Sequence, residues 1–196
     1  KVQLRPNFLE NLEKDCLIVE KDGLEISEVF MSFSCDPYPV MEVEYKQTRQ
    51  AIEILHKHGI SVRILTKAGL YAARDFDLLT DKDWFGCTLT FIDNTNSIGW
   101  EPNASLPHGR IEALKTAHEM GIPTWVSLEP VIDPKQTLEL IRMTYPFVDH
   151  FKVGMLNYHI HSKTIDWKQF GKDVVLLLDD LGCDYYIKDD LRKYLC

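Results

Sequence analysis

The sequence lacks most of the short motifs that would assign a cofactor or a disulfide framework. It has five cysteines, and no two of them are spaced as Cys-x-x-Cys; they are Cys16, Cys35, Cys87, Cys183 and Cys196. The odd number and the irregular spacing exclude a disulfide framework, a zinc ribbon and a thioredoxin-type site, and they favour reduced thiols. Neither GxGxxG nor GxxxxGK(S/T) occurs, so the usual sequence signs of a phosphate-binding loop are missing.

Long apolar segments and excess positive charge are missing as well. No apolar run approaches the roughly 18 residues of a membrane-spanning helix, and the start of the sequence does not read as a signal peptide. The net charge is −8 and the pI is about 5.3, which does not favour non-specific binding to nucleic acid or to a membrane surface. We therefore expect a cytoplasmic protein without membrane contact.

The overall composition is that of a folded globular protein. Of the 196 residues, 45% are hydrophobic and 27% are charged, and no low-complexity linker divides the chain. A chain of this length needs neither a disulfide nor a metal to maintain a core. We expect a single domain over residues 1–196, with a tail of helix and strand from about residue 160.

Apolar strand-like segments alternate with amphipathic helix-like segments along the chain. The predicted strands are 29–34, 61–66, 86–91, 124–128, 148–153 and 183–187, and the predicted helices are 6–15, 42–58, 70–79, 107–120, 134–144, 165–181 and 189–194. Repeated βα units of this length predict right-handed crossovers and parallel strands. Because no phosphate-binding loop is present, a TIM-type barrel or partial barrel of (βα) units is favoured over a doubly wound open sheet.

Polar side chains follow several of the predicted strands at the point where each strand ends. The carboxyl ends of parallel barrel strands form the reactive face of such folds, so these side chains are the candidates for chemistry; they are Ser34, Cys35, Asp36, Lys67, Thr90, Glu129 and Lys152. Glu129 lies between apolar residues, where an unpaired carboxylate is costly. It is either a functional group or the partner of Lys67 or Lys152 in an internal ion pair.

Two further segments carry candidate groups. His159 and His161 follow the fifth predicted strand, and they could bind a metal or contact a substrate. Residues 94–106 are predicted to be a long loop. Within this loop, Trp100 is predicted either to be buried and to fix the loop in place, or to belong to a lid over a ligand.

An ordered set of motifs resembles one known family. The motifs are Ser-Phe-Ser-Cys-Asp-Pro-Tyr at 32–38, Ile-Leu-Thr-Lys at 64–67, Glu-Pro-Asn-Ala-Ser at 101–105, Arg-Ile-Glu-Ala-Leu at 110–114, Gly-Ile-Pro at 121–123 and Glu-Pro-Val-Ile at 129–132. Over roughly residues 5–160 the chain resembles the radical S-adenosylmethionine (SAM) proteins related to spore photoproduct lyase, also called DNA repair photolyase-like proteins.

The resemblance implies a fold, two cofactors and roles for individual residues. It implies a partial (βα)6 barrel in which a 4Fe–4S cluster, reduced by an external reductant, cleaves SAM to a 5′-deoxyadenosyl radical. It implies contacts with SAM for Ser34, Asp36, Lys67, Thr90 and Asn157, with Lys67 at the SAM carboxylate. It implies that Glu129 and Lys152 face the ribose, the adenine or the substrate, where we expect catalytic roles.

The chain departs from the family at the cluster-binding motif. The family holds its cluster with CxxxCxxC after the first barrel strand, and this motif does not occur here. We therefore expect the sequence to be a fragment that lacks the first strand and the cluster loop and is inactive by itself. Because of this resemblance, nucleic acid is one candidate substrate, but the negative net charge of the chain does not favour nucleic-acid binding.

Two other functions are compatible with the residues alone. In one, a Schiff-base lyase or aldolase uses Lys152 as the nucleophile and Glu129 as its proton-transfer partner. In the other, the barrel binds a ligand or partner without catalysis, and the charged pairs are structural.

Overall fold

The computed structural model describes residues 5–31 and 35–195. These residues form a sheet of six parallel strands, and each strand pairs with the next strand along the chain. The strands are β1 (Glu28–Met31), β2 (Ser61–Thr66), β3 (Trp84–Thr88), β4 (Thr124–Val131), β5 (His150–Met155) and β6 (Asp184–Ile187). A doubly wound sheet reverses its strand order at a switch point, whereas a βα barrel adds strands in sequence order. The predicted parallel α/β architecture is confirmed, and its winding is that of a partial barrel.

Helices connect the strands and also flank the two ends of the sheet. They are α1 (Phe8–Lys21), α2 (Glu42–Tyr45), α3 (Gln47–Lys57), α4 (Asn94–Trp100), α5 (Pro107–Glu119), α6 (Pro134–Thr144), α7 (Trp167–Asp180) and α8 (Asp189–Arg192). Short 3-10 helices span Gly69–Leu78, Tyr145–Phe147 and Ile160–Thr164. No helix in the described ranges is long and apolar enough to cross a membrane.

One face of the sheet supplies the apolar core beneath the helices. Alternate strand residues point to this face and are fully buried, among them Val62, Ile64, Phe85, Phe151 and Val153. Helix residues such as Ile52, Leu114, Leu140 and Val174 belong to the same hydrophobic cluster. Burial of this face fixes the register of each strand, because a slip of one residue would turn its apolar side chains to the other face.

The other face carries large aromatic and charged side chains near the beginning of the strands. The indole of Trp125 lies over Gly86, where a Cβ atom would come within 2.3 Å of the indole nitrogen. The same indole donates a hydrogen bond of 3.0 Å to the carbonyl of Ile64. The guanidinium of Arg63 lies 4.5 Å from the ring centroid of Trp84. The aromatic residues thus occupy this face at the amino-terminal end of the sheet.

The prediction of one continuous helix over 42–58 is wrong. It is interrupted at Lys46, whose φ of 47° is in the left-handed region, and the chain forms α2 and α3 instead. The carboxylate of Glu42 accepts hydrogen bonds from the backbone N–H groups of Gln47 and Thr48 at 3.0 and 3.1 Å. Glu42 therefore caps the start of α3 from outside it, which ends the continuous helix.

The predicted loop over 94–106 and the predicted end of the fourth strand also need correction. Residues Asn94–Trp100 form α4, and the carboxylate of Asp93 caps this helix by accepting from the N–H of Asn96 at 2.8 Å. Strand β4 does not end at Leu128 as predicted, because it continues through a cis Glu129–Pro130 bond to Val131. The pairing with β5 is interrupted at Glu129 and Pro130 and resumes at Val131.

Candidate active site

Most of the predicted site residues lie at the carboxyl ends of the strands. Lys67 follows β2 directly, Thr90 lies two residues after β3, Glu129 lies within β4, and Lys152 lies within β5. The structure groups these side chains into two separate polar clusters. Ser34 lies outside the described residues.

The first cluster is built around Glu101, which follows α4. Its Oε1 atom lies 2.9 Å from the ammonium of Lys67, and its Oε2 atom lies 2.8 Å from Nη1 of Arg110. The hydroxyl of Thr90 donates to Oε2 at 2.8 Å. The Glu101 side chain is only 7% exposed and that of Arg110 only 1%, whereas that of Lys67 is 39% exposed. We call Lys67, Thr90, Glu101 and Arg110 the Glu101 cluster.

Opposing effects act on the ionisation of Glu101. Its burial would raise the pKa of the carboxyl, but the positive charges of Arg110 and Lys67 and the hydrogen bonds from Lys67 and Thr90 outweigh the burial. The pKa of Glu101 is therefore held below its ordinary value. The carboxylate is ionised at neutral pH, so it orients both cations.

Backbone carbonyls hold the guanidinium of Arg110 in place. Arg110 donates from Nε to the carbonyl of Ser105 at 2.8 Å and from Nη1 to the carbonyl of Thr88 at 2.9 Å. Ser105 in turn donates its N–H to the carbonyl of Lys67 at 2.9 Å. The segment 101–105 thus connects the end of β2, the end of β3 and the start of α5.

Asp36 supports this cluster from the turn after β1. Its Oδ1 atom accepts from the N–H of Tyr38 at 2.9 Å and from the hydroxyl of Thr66 at 2.6 Å, and its Oδ2 atom accepts from the N–H of Lys67 at 2.6 Å. A carboxylate with these three donors positions the backbone on both sides of it. Contact between Asp36 and a cofactor stays a prediction.

The second cluster is centred on Glu129. Its carboxylate forms an ion pair with Lys188 just after β6, and its Oε2 atom lies 3.9 Å from the ammonium of Lys152. Burial would lower the pKa of Lys188, but its hydrogen bond to Glu129 and the charges of Glu129 and Asp190 raise it. We call Glu129, Lys152 and Lys188 the Glu129 cluster.

A glycine makes room for this ion pair. A Cβ atom at Gly154 would come within 2.8 Å of Cδ of Lys188 and 3.0 Å of Cδ of Glu129. The pair of Glu129 and Lys188 therefore lies directly over the backbone of β5. A pairing of Glu129 with Lys67 was one of the predicted alternatives, and it is wrong, because Lys67 pairs with Glu101. The other predicted partner, Lys152, does approach Glu129, but its ammonium lies farther from the carboxylate than that of Lys188 does.

Asn157, His159 and His161 lie after β5. The side-chain amide of Asn157 donates to the carboxylate of Asp190 at 2.6 Å, so Asn157 is located beside the Glu129 cluster.

The rings of His159 and His161 lie 5.0 and 6.1 Å from the ring of Trp100. Trp100 is 40% exposed, so the expectation of a buried tryptophan that fixes the loop is wrong.

Three residues of these clusters received no predicted role from the sequence. Glu101 and Arg110 each begin one of the motifs that resemble the family, but the sequence does not indicate that they pair; the contact between them in the folded structure shows it. Lys188 follows β6 as Lys67 follows β2, so the same strand-end rule, applied to the last strand, would have found it. In the described ranges, no three His, Cys, Asp or Glu side chains are grouped as metal ligands would be.

Comparison with known proteins gives relatives of unassigned function. No protein-family model matches the chain. The chain is 30% identical over 133 residues to the uncharacterized protein MJ0683 of Methanocaldococcus jannaschii, which covers 66% of this chain and 51% of that protein. It is 27% identical over 117 residues to the uncharacterized protein ORF301 of Acidianus two-tailed virus, covering 58% of this chain and 38% of that protein. The matched region spans about half or less of these curated relatives.

Solved structures of similar fold are more informative. SuiB of Streptococcus suis, bound to S-adenosylmethionine, matches 100% of this chain and 47% of its own chain, with a TM-score of 0.73 and 13% identity. A domain of pyruvate-formate lyase-activating enzyme from Bacteroides vulgatus matches 83% of this chain and 99% of its own, with a TM-score of 0.60 and 14% identity. At these identities the likeness shows the fold, which is the (βα) fold found in both proteins.

Proposed function

We propose that this chain forms the SAM-binding part of a radical SAM enzyme. The observation that carries the proposal is the Glu101 cluster: four polar side chains meet at the carboxyl edge of a sheet whose fold matches that of SAM-bound SuiB along the whole chain. SuiB and the pyruvate-formate lyase-activating enzyme are radical SAM enzymes. In barrel folds this edge is where substrates and cofactors bind.

The donors of the Glu101 cluster fit the amino-acid end of SAM. An ammonium group has three N–H donors, and within the described residues Glu101 is the recorded partner of the Lys67 ammonium. The remaining donors of this partly exposed group can hold a ligand carboxylate. We assign Lys67 to the SAM carboxylate, Asp36 to the orientation of the Lys67 backbone, and Thr90, Ser34 and Asn157 to further cofactor contacts.

The Glu129 cluster is assigned to the other end of the cofactor and to the substrate. Lys152 and Lys188 share the carboxylate of Glu129, so each ammonium retains N–H donors that Glu129 does not occupy. We propose that Glu129 and Lys152 contact the ribose or the reacting part of the substrate. If SAM were bound here and received one electron from a reduced iron–sulfur cluster, cleavage of its C–S bond would supply methionine and a 5′-deoxyadenosyl radical able to take a hydrogen atom from the substrate.

The described cysteines do not fit an iron–sulfur cluster. Cys16 lies buried on α1 and Cys87 lies buried in β3, whereas Cys35 is exposed after β1 and Cys183 precedes β6. These thiols lie on separate elements, and no ligand group for a metal is found in the described ranges. We therefore derive no step through a cluster from these residues.

A closer relationship to spore photoproduct lyase is a narrower proposal. It is supported by the order of the motifs at 32–38, 64–67, 101–105 and 129–132. The solved structures of similar fold are other radical SAM enzymes, and a net charge of −8 does not favour a nucleic-acid substrate.

Equilibrium dialysis with radiolabelled SAM tests the proposed function. We expect saturable binding that unlabelled SAM and S-adenosylhomocysteine displace, because both carry the carboxylate that Lys67 is proposed to bind. Adenosine, which lacks this carboxylate, should compete less well. Absence of saturable binding by the protein would contradict the proposal.

A Schiff-base mechanism is the second candidate, and one distance favours it. The ammonium of Lys152 lies 3.9 Å from Glu129, so a nucleophile and a proton acceptor are neighbours. Borohydride reduction in the presence of a carbonyl compound such as pyruvate, followed by peptide mass spectrometry, should then modify Lys152. Absence of an adduct at Lys152 would remove this candidate.

A further inference from the structure

A second site, outside the two polar clusters, lies among the segments that follow β3, β4 and β5. It is a pocket of about 570 Å³ bordered by α4, by the start of α6 and by the first half of α7. Pockets for small ligands commonly measure roughly 300–1,000 Å³. The pocket is therefore large enough for a small organic molecule or a short peptide segment.

The walls of the pocket are mostly apolar and aromatic. They are formed by Phe91, Trp100, Ile132, Leu138, Ile165 and Phe170. Trp100 is partly exposed, and its ring lies 6.3 Å from the ring of Phe91 and 6.1 Å from the ring of His161. An exposed indole face is the preferred aromatic partner of a cation.

Three carboxylates border the same pocket, and they belong to Asp133, Asp166 and Asp173. Asp133 accepts from the N–H groups of Lys135 and Gln136, and Asp166 accepts from the N–H of Gln169. Asp173 accepts from the side-chain amide of Gln169. These donors are neutral, and no lysine or arginine in the described part of the chain forms an ion pair with any of the three carboxylates.

The charges bordering the pocket are therefore unbalanced. The described lining contains one lysine, Lys135, and no arginine, and the side chains of Lys135 and Asp166 are both exposed. The three carboxylates and the one ammonium together carry a formal charge of −2. Beside apolar walls, this negative charge favours a positively charged ligand.

We propose that this pocket binds an organic cation, a guanidinium or ammonium group carried on an apolar body. The cation would lie against Trp100 and between the carboxylates of Asp166 and Asp173, while the apolar body would contact Phe91, Ile165 or their neighbours. Two sources share this chemistry, namely a free amine and a basic side chain within a peptide. The inference does not depend on the SAM chemistry proposed above, because none of the residues that line the pocket belongs to either polar cluster.

The test is isothermal titration of the protein with three probes. Agmatine represents a free guanidinium, acetyl-Phe-Arg-amide represents a basic peptide, and acetyl-Phe-citrulline-amide is the neutral counterpart of that peptide. We expect saturable binding of a cationic probe and at least about tenfold weaker binding of the neutral one. Binding of agmatine alone would identify a small-molecule site, and binding of the dipeptide alone would identify a peptide site.

A charge-removing variant localises the binding. Asn is as good a helix N-cap as Asp, so the triple variant Asp133→Asn, Asp166→Asn, Asp173→Asn should retain the caps of α6 and α7. We expect this variant to bind the cationic probe about tenfold more weakly or not at all. The matched control, Asp15→Asn, Asp81→Asn, Asp180→Asn, makes the same change in net charge away from the pocket and should bind as the unmodified protein does.

Three results would overturn the proposal. They are no saturable binding of either cationic probe, equal binding of the arginine and citrulline peptides, and equal weakening in the triple variant and its control. Circular dichroism and a urea unfolding curve for both variants verify that they are folded when the titrations are made.

Discussion

The Oε2 atom of Glu101 lies 2.8 Å from Nη1 of Arg110, and both side chains are almost completely buried. The ammonium of Lys67 contacts the other oxygen of the same carboxylate from the exposed side. The buried pair therefore helps to position the ammonium of Lys67, which is the partly exposed cation of the Glu101 cluster. This relationship connects the stability of the fold to the proposed cofactor site.

Replacing Arg110 should destabilise the protein strongly. Arg110→Met removes the cation from a buried pair and leaves the carboxylate of Glu101 with Lys67 and Thr90 alone. Loss of one partner from a buried ion pair costs about 3–5 kcal/mol. Urea unfolding monitored by circular dichroism measures the change in the free energy of unfolding.

Arg142→Met is the matched control for this prediction. Arg142 forms an exposed pair with Glu139 at 3.6 Å on α6, and exposed pairs contribute about 0–1 kcal/mol. If the two variants lost similar amounts of stability, the buried pair would not have the structural role assigned to it.

The low pKa of Glu101 predicts a particular dependence of stability on pH. The pKa of this carboxyl in the folded protein lies below the ordinary value of 4.5, so the ionised form is favoured by folding. The resulting stabilisation is fully present above the ordinary pKa and is lost as the pH falls through the lower pKa of the folded state. The free-energy difference between the unmodified protein and Glu101→Gln should therefore be largest near neutral pH and should shrink as the pH falls below 4.5.

Urea unfolding of both proteins across this pH range measures the difference directly. Other carboxyl groups with lowered pKa values, such as those of Asp77 and Asp83, contribute equally to both curves and cancel. A free-energy difference that is constant with pH would show that Glu101 does not ionise differently in the folded and unfolded states.

Adding a methyl group at Gly154 should disturb the Glu129 cluster. The new Cβ would lie within 2.8 Å of Lys188 and 3.0 Å of Glu129, so the ion pair must shift away from β5. Overpacking of this kind costs about 1–3 kcal/mol. We expect Gly154→Ala to lower the free energy of unfolding by this amount, as measured in urea.

Gly99→Ala provides the comparison for that substitution. A Cβ at Gly99 meets nothing within 4 Å, and Gly99 lies in α4, where alanine is favoured over glycine by roughly 0.5–1 kcal/mol. This variant should be as stable as the unmodified protein or slightly more stable. A neutral effect of Gly154→Ala would indicate that Glu129 and Lys188 do not pack over β5 as described.

The strands could be predicted from sequence because buried parallel strands are short apolar runs. Val62 and Ile64 in β2 and Phe151 and Val153 in β5 alternate with partly exposed residues, and a glycine follows the helix before β2 and the helix before β4. The strand order followed from the repeated βα units. Where the predicted end of a helix or strand was wrong, it was mostly displaced by a few residues, as it was for β3.

The features that sequence reasoning missed depend on contacts between distant residues. The break at Lys46 reflects the carboxylate of Glu42, which caps α3 and also pairs with Arg74 at 2.7 Å. The pairing of Glu129 with Lys188 depends on the register of β4, β5 and β6. Local propensity contains neither kind of information, so strand-end residues could be listed but not assigned to their two clusters.

The binding of SAM to Lys67→Met tests the central claim most directly. Lys67→Met keeps the length of the side chain but removes the ammonium proposed to hold the SAM carboxylate, whereas Lys115→Met removes an exposed ammonium that pairs with Glu119 at 3.9 Å on α5. Dialysis with radiolabelled SAM should show a Kd raised about tenfold or more for Lys67→Met and an unchanged Kd for Lys115→Met. Equal SAM affinity in the unmodified protein and Lys67→Met, both verified as folded, would contradict a SAM site at the Glu101 cluster.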